Sequence, residues 1–310
     1  MEDHTPVIRT RNLTKRYGRK IAVDHIDLLV KRGQVYAFLG ENGAGKTTAI
    51  RLLLGLQRPD EGEVELFGLS LPKHRLEILR RVGSLIEFPS FYGHLTGREN
   101  LEVIRRLRNL SSDEIDRVLG IVRLQEAANL RVAHYSQGMK QRLAIAIALM
   151  GNPDLVILDE PTNGLDPSGI REMRELIRSL PRELGITVLL ASHLLGEVEQ
   201  TATHVGILRR GRFLFQGSLE ELKQLARPQI LVATDDRQAA GQLLSGHGFS
   251  VTTKDDGDLL VDAPPSRIGE IQQLLTEGGL EVYRLTTREA SLEDLYFALM
   301  DNRELSSSRS

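Results

Sequence analysis

The sequence predicts an α/β core with an antiparallel β layer and a helical insertion, followed by a small α+β unit of ferredoxin-like order. Three segments, 34–40, 155–160 and 186–193, are apolar almost without alternation, which is typical of buried parallel strands. Each is followed by polar or glycine-rich residues and then by a helical pattern, as in α/β sheets. We therefore expect ligands to bind at the carboxyl ends of these strands.

The composition indicates a globular protein with one large and one smaller domain. The 310 residues are 41% hydrophobic and 26% charged, with a net charge of −2 and no cysteine. The absence of cysteine excludes a disulfide framework and a thiolate metal site. The composition is that of a globular protein, and the net charge provides no basic surface for nucleic acid. The N-terminus lacks the apolar core of a signal peptide, and the run LAIAIALM is too short to cross a bilayer. We expect a chain that does not span a membrane.

Short alternating strands over 7–34 predict the antiparallel layer, whereas 96–150 is helical in pattern throughout. The segments TGRE (96–99) and SSDE (111–114) both match the capping box, in which a Ser or Thr caps a helix and a glutamate three residues later returns the bond. Each is expected to open a helix. The helical subdomain is placed at about 90–150.

The last third predicts the order β-α-β-β-α-β, with a hairpin turning at 255–257 and an amphipathic helix after the final strand. The expected domains are therefore 1–225 and 226–301, with a disordered tail over 302–310. A ferredoxin-like unit hosts many unrelated functions. Dimer contact or regulation and a plain stabilising extension both stay open.

The segment GENGAGKTT follows the first buried strand and has the spacing G-x-x-x-x-G-K-T of a P-loop. Its glycines let backbone N–H groups turn toward phosphate oxygens, and the next helix adds its positive end. Lys46 is expected to reach the β- and γ-phosphates of ATP, and the Thr47 hydroxyl to hold Mg²⁺. The expected nucleotide-binding residues in this loop are Gly40, Glu41, Asn42, Gly43, Ala44, Gly45, Lys46, Thr47 and Thr48.

Two carboxylates end the second buried strand, in LVILDEP. Asp159 is expected to position Mg²⁺, and Glu160 to polarise the attacking water as a general base. A solvated strand-end glutamate is the alternative for Glu160, but the P-loop favours catalysis. His193 ends the third strand and is the remaining expected catalytic residue beside Lys46 and Glu160, although a lone histidine is more often structural.

The segments GENGAGKTT, YSQGMKQR, LVILDEPTNGLD and ASH, in this order, resemble the ATPase subunits of ABC transporters over roughly the first 220 residues. The resemblance implies a P-loop NTPase fold of ABC type, with ATP and Mg²⁺ as cofactors. It also implies that two copies sandwich two nucleotides head to tail and drive a separate membrane permease.

Within that dimer, the resemblance implies that Ser136 and Gly138 contact the ATP held by the second copy. Asp166 would communicate across the interface, and Tyr17 would stack on adenine. The common signature has glycine where this chain has Gln137 and glutamine where it has Met139. The serine and the second glycine remain.

The segment GSLIEFPSFYGHLTGRENL departs further, because most of the family has glutamine where this chain has Glu87. Glu87 with these neighbours resembles the branch associated with bacitracin and lantibiotic export or self-immunity. We expect Glu87 to act as a metal ligand or to couple hydrolysis to the permease. A solvated loop carboxylate is the alternative.

The expected partners are therefore a second copy of the chain and a permease that docks around 87–96, at the cytoplasmic face of the membrane. The expected cargo is an exported peptide antibiotic or other drug. The alternative is a soluble ABC-type ATPase that acts on ribosomes or DNA. Ribosome-acting members carry two cassettes and DNA-acting members long coiled coils, whereas this chain has one P-loop and no long heptads.

Overall fold

The computed structural model describes residues 5–86, 90–225, 228–253, 257–288 and 290–307. The chain divides into two compact units, 1–219 and 220–310, which are described separately. No helix in the described ranges is both long and apolar enough to cross a membrane.

The first unit alternates strands and helices. Its described strands are β1 (Ile8–Tyr17), β2 (Lys20–Ile26), β3 (Leu29–Val30), β4 (Val35–Leu39), β5 (Glu61–Leu66), β6 (Leu69–Ser70), β7 (Val82–Leu85), β8 (Leu155–Asp159), β9 (Thr187–Ser192), β10 (His204–Arg209) and β11 (Arg212–Ser218). Its described helices are α1 (Lys46–Leu53), α2 (Leu71–Arg80), α3 (Gly97–Leu107), α4 (Glu114–Ile121), α5 (Gln137–Leu149), α6 (Pro167–Leu184) and α7 (Leu195–Thr201). The short helix α8 (Leu219–Gln224) follows.

The three buried strands predicted from the sequence are adjacent in one sheet, in the order β11-β10-β4-β9-β8-β7. Pairing is parallel from β10 to β7, and every residue of β4, β8 and β9 is buried. Leu39 pairs with Ser192, and Asp159 pairs with Ala191. The ends of the three strands therefore meet at one edge of the sheet.

The predicted antiparallel layer forms a second sheet, in the order β2-β1-β5-β6 with β3 on β1. Helix α1 packs between the two sheets, where Ile50 and Leu53 are fully buried in a core that also contains Ile8, Phe38 and Leu66. This apolar packing fixes the N-terminal end of α1 beside the carboxyl edge of the parallel sheet, since β4 leads into α1 through one short loop.

The region between β7 and β8 is helical, as predicted. Thr96 caps α3, and its side chain and that of Glu99 form both bonds of a capping box. The second predicted box is wrong, because α4 begins after Asp113 without a side-chain cap. The Glu114 carboxylate instead accepts hydrogen bonds from Arg117 and, at 2.6 Å, from the backbone N–H of Gly151. A tertiary contact has outcompeted the local motif.

The second unit contains β12 (Gln229–Thr234), α9 (Arg237–Gly246), β13 (Ser250–Thr253), β14 (Leu259–Asp262), α10 (Ile268–Glu277), β15 (Val282–Arg288) and α11 (Leu292–Ser307). Its antiparallel sheet has the order β13-β14-β12-β15. One face of the sheet packs on α9 and α10 through residues such as Val232, Leu244, Val261 and Ile271. The predicted turn at 255–257 falls mostly outside the described residues. Helix α11 continues into the segment expected to be a disordered tail.

Candidate functional site

The P-loop joins a fully buried strand to a helix, as its sequence predicts. Gly43 and Gly45 have φ of 84° and 112°, values that glycine adopts at no steric cost. A Cβ on Gly45 would lie 2.3 Å from the carbonyl oxygen of Ala22, and one on Gly40 would lie 2.5 Å from that of Leu208. The loop is therefore pressed against neighbouring backbone, and only glycine fits at these two positions.

Lys46 is the first residue of α1 and is buried at 5% exposure. Its Nζ donates to the Gly40 carbonyl oxygen at 2.6 Å and lies 3.4 Å from Oε1 of Glu160. A buried ammonium needs such partners, because burial without a partner carries a large desolvation penalty. The loop thus holds a positive charge at the point where the N–H groups of the helix also converge.

Asp159 ends β8 beside the P-loop and is 6% exposed. Burial raises the pKa of its carboxyl above the ordinary aspartate value, and a hydrogen bond from the Thr47 side chain partly opposes that rise. Asp159 Oδ1 is buried and has no hydrogen-bond partner among the described residues. A buried acceptor without a partner next to a threonine hydroxyl is an arrangement that a bound cation would satisfy.

Glu160 follows Asp159 and connects the two ends of the site. Its backbone has a φ of 50°, in the left-handed region that disfavours residues with a Cβ. Its Oε1 lies 3.4 Å from Lys46 Nζ, and its Oε2 lies 2.9 Å from Nδ1 of His193. The structure therefore brings together the three residues predicted to be catalytic, which are separated widely in the sequence.

A cavity of about 320 Å³ opens over the P-loop. Tyr17 lies at its rim, 46% exposed, with its hydroxyl donating to Oε1 of Gln57 at 2.5 Å. This bond holds the ring beside the phosphate loop. The described lining consists of Tyr17, Lys20, Ala22, Glu41, Asn42, Gly43, Gly45, Lys46, Thr47, Thr48 and Glu160.

The signature residues lie elsewhere in this unit. Ser136 is exposed and caps α5, where its Oγ accepts from the Met139 N–H at 3.2 Å. Gly138 lies on the same first turn. Neither residue is among the described residues that line the P-loop cavity. Asp166 caps α6 through a 2.9 Å bond from the Gly169 N–H, and this bond lowers the pKa of Asp166.

Sequence reasoning missed two supports of the site. The turn between β10 and β11 touches the P-loop, since the Gly211 N–H donates to the Ala44 carbonyl at 2.9 Å. Beside that turn, Arg212 pairs with the buried Asp24 at 2.6 Å. Thr162, in the loop after Glu160, donates to Glu197 on α7. No local pattern links these residues. Glu87, the predicted metal or coupling residue, lies outside the described residues.

Comparison with known proteins agrees with this geometry. A family model described as ABC transporter matches residues 23–163, and one described as a domain of unknown function matches 228–293. The chain is 45% identical to the bacitracin transport ATP-binding protein of Bacillus licheniformis, over 95% of this chain and 97% of the relative. It is 39% identical to the lantibiotic transport ATP-binding protein of Streptococcus pyogenes, over 73% of this chain and 98% of the relative.

Two further matches extend the comparison. The daunorubicin resistance ATP-binding protein of Streptomyces coeruleorubidus is 34% identical, over 92% of this chain and 93% of the relative. Among solved structures, cbiO1 of Clostridium perfringens, part of the ABC transporter complex cbiONQ, matches with a TM-score of 0.65 and 28% identity. That match covers 70% of this chain and 90% of cbiO1.

The parallel sheet and its glycine-rich loop define a P-loop ATPase. The chain belongs to the ABC transporter ATP-binding proteins, and it is the ATP-binding, ATP-hydrolysing subunit of such a transporter.

Proposed function

We propose that this chain hydrolyses Mg·ATP with Glu160 as general base, in a head-to-tail dimer that drives antibiotic export by a separate permease. The observation that carries the catalytic part is the position of Glu160 between Lys46 and His193. This arrangement provides a carboxylate, a phosphate-binding cation and an orienting imidazole at one edge of the sheet, which is the set that phosphoryl transfer to water requires.

Thr47 and Asp159 would hold the Mg²⁺. A hydroxyl and a carboxylate are hard oxygen ligands, and the unpartnered Oδ1 of Asp159 supports this assignment. These two residues provide only part of a coordination shell, so the ion would take its remaining ligands from phosphate and water. When bound, the ion neutralises charge on the phosphates.

Each catalytic side chain has one task in this proposal. Lys46 binds oxygens of the β- and γ-phosphates, which replace the carboxylate of Glu160 as the partner of its ammonium group. Glu160 then accepts the proton of the attacking water at a carboxylate oxygen. His193 hydrogen-bonds Glu160 and orients it. Tyr17 provides a face for the adenine at the rim of the cavity.

The second copy would complete the site. The α5 N-terminus, with Ser136 and Gly138, is exposed and well suited to bind phosphate, but it lies away from the cavity of its own chain. A head-to-tail dimer would place it on the nucleotide of the partner. Asp166, at the start of α6, would then lie at the interface and report closure of one site to the other.

The cargo and direction of transport rest on the relatives. Those compared above are named for bacitracin transport, lantibiotic transport and daunorubicin resistance. Bacitracin and lantibiotics are peptides, so we propose that a peptide antibiotic is exported. The permease would dock around 87–96, and Glu87 would couple it to hydrolysis. Binding to the permease would hold the chain at the cytoplasmic face of the membrane.

The second unit would be a ferredoxin-like domain over about 226–301, after a cassette of 1–225 and before a tail of 302–310. The order of its elements and the strand order β13-β14-β12-β15 support that fold. A contact between copies or a regulatory role is our proposal for this domain. If the domain only stabilises the chain, its replacement by an unrelated stable domain should leave transport intact.

Two experiments test the proposal. Glu160→Gln should retain ATP binding but lose hydrolysis, and it should form a dimer in Mg·ATP. A variant that stays monomeric at saturating nucleotide would contradict the sandwich. A gentle detergent pull-down from native membranes should recover a polytopic membrane protein in near-equal amount. Recovery of ribosomes or DNA without a membrane chain would contradict the transport role.

A further inference from the structure

The short helix α7 is connected to the loop that carries Glu160 by a partly buried side-chain hydrogen bond. Helix α7 follows His193 and anchors itself through Val198, which is fully buried. Glu197 lies half-buried on this helix, and its Oε2 accepts a hydrogen bond from the Thr162 hydroxyl. Thr162 is only 5% exposed. The bond is therefore charge-assisted and partly shielded from water, and both properties strengthen it.

Thr162 belongs to the loop that carries Glu160. The Asn163 N–H donates to the Glu160 carbonyl at 3.1 Å, and the Leu165 N–H donates to the Thr162 carbonyl at 3.2 Å. These bonds form two consecutive tight turns. Thr162 sits in the middle of the segment, so a shift of its side chain moves the turn that begins at Glu160.

Glu160 needs such an anchor because its backbone is strained. A φ of 50° is disfavoured for a residue with a Cβ, and it persists only where the surroundings enforce it. On the upstream side, the Glu160 N–H donates to the Ala191 carbonyl of β9 at 3.0 Å. On the downstream side, the described side-chain anchor is the bond from Thr162 to Glu197.

We propose that Glu197 and Thr162 are positioning residues for ATP hydrolysis, which act by holding the Glu160 carboxylate in its productive orientation. The inference rests on the proposed role of Glu160. Because His193 lies two residues before the first residue of α7, the same bond also keeps the imidazole of His193 and the carboxylate of Glu160 in a fixed relative position. Neither Glu197 nor Thr162 lines the P-loop cavity. Their effect should therefore fall on turnover and not on nucleotide binding.

The test compares variants that lose the bond with variants that keep it. Thr162→Val preserves shape but removes the donor, and Glu197→Ala removes the acceptor. In the full-length chain, each should lower kcat by about tenfold or more, because small misplacements of catalytic groups are costly, and should leave the Kd for ATP within about twofold. Thr162→Ser and Glu197→Gln retain a donor and an acceptor, so they should restore most of kcat.

Two comparisons give the test its specificity. The double variant Thr162→Val/Glu197→Ala should be no slower than the slower single variant, since both changes break one bond. Gln200→Ala is the matched control, because Gln200 lies on the same helix α7 but accepts its hydrogen bond from Arg174 of α6 and not from the loop that carries Glu160. It should leave kcat unchanged.

The inference fails if Thr162→Val and Glu197→Ala lower only the thermal midpoint while kcat per folded molecule stays at the wild-type value. It also fails if the two losses multiply in the double variant. Glu160→Gln separates this failure from that of the proposed function. If Glu160→Gln turned over ATP at the wild-type rate, the proposal that Glu160 is the general base would fail. If Glu160→Gln were inactive while the Thr162 and Glu197 variants turned over normally, only the proposed positioning role would fail.

Discussion

The N-termini of α1 and α5 have the same chemistry in different surroundings. Neither helix has an acidic residue in its first turn, so both present a positive end. Helix α1 is capped by Gly45 without a side-chain bond, and the buried Lys46 lies beside it in a cavity. Helix α5 is capped by the exposed Ser136, whose oxygen already accepts from Met139.

The difference shows that a helix end becomes a phosphate site through what faces it. At α1, the chain itself supplies a loop, a cation and two carboxylates. At α5, neither Ser136 nor Gly138 is among the described residues that line the nucleotide cavity, and in our proposal a second copy supplies the rest. Variants at the two helix ends can test whether α1 forms a complete phosphate site within one chain and whether α5 needs a second copy to complete its site.

The largest effect is expected from Lys46→Ala. Without the ammonium, α1 keeps its dipole but loses the charge that binds the β- and γ-phosphates, and we expect ATP affinity to fall by at least about 100-fold. Titration with a fluorescent nucleotide would measure this, with the exposed Lys73→Ala as control. If affinity for ATP stayed near the wild-type value and circular dichroism showed an intact fold, the N-terminus of α1 would bind phosphate without the lysine. The N-termini of α1 and α5 would then be equivalent as phosphate sites.

The second-largest effect is expected from Gly138→Asp, which should reduce hydrolysis through the N-terminus of α5 with little effect on ATP binding at α1. A side chain at this position has space, since a Cβ there would lie 3.9 Å from its nearest neighbour, Cδ2 of Leu165. The added carboxylate would repel the phosphate of a second copy. We expect hydrolysis to fall by about 100-fold and ATP affinity to change by less than about threefold. Gly138→Ala is the steric control. A parallel loss of ATP affinity would place α5 in the site of its own chain.

Arg212→Ala should have a moderate effect confined to the α1 side. Arg212 and His25 lower the pKa of the buried Asp24, next to the turn that holds Ala44 of the P-loop. Because Arg212 is well exposed, we expect only about a two- to fivefold loss of ATP affinity. Arg212→Lys should recover part of it in the same titration. An unchanged affinity in Arg212→Ala would show that the P-loop needs no such brace.

The smallest effect is a gain in stability for Asp159→Asn. Since burial raises the pKa of Asp159, its charged form weakens the fold, and stability falls as the pH rises through that raised pKa. Without nucleotide at pH 7, the midpoint of unfolding should rise by about 1–2 °C, and the gain should shrink toward acid pH. Hydrolysis should be lost.

Asp166 near α5 provides the opposite sign. Its pKa is lowered by the Gly169 N–H and the Ser168 hydroxyl, so its contribution to stability is present above the ordinary aspartate pKa and is lost as the pH falls through the lowered value. Asp166→Ala should therefore lower the midpoint at pH 7. If the midpoint of unfolding shifted in the same direction and by the same amount in Asp159→Asn and Asp166→Ala, the buried and the exposed carboxylate would not differ in their effect on stability.

The parts of the molecule that the sequence predicted correctly have local causes. Uniform apolar runs predicted β4, β8 and β9, and glycine spacing predicted the loop into α1. Pairings between distant residues left no such trace. Asp24 and Arg212 are 188 positions apart, and Thr162 and Glu197 are 35 apart. The SSDE motif shows that a local pattern can also mislead, because Glu114 accepts a hydrogen bond from the backbone N–H of the distant Gly151 and not from that of the first residue of its own motif. The role that we propose for Ser136 depends on a second molecule, so one chain alone could not reveal it.

The left-handed backbone of Glu160 sets the local conformational preference against the proposed chemistry. At a φ of 50°, glycine or asparagine would be less strained than glutamate. Replacement by either residue would relieve the backbone but would remove the carboxylate that we propose as the general base. It would also remove the partner that this carboxylate provides for Lys46 and His193. One position thus carries two opposite demands, in which backbone geometry favours a small residue and the proposed hydrolysis requires a carboxylate.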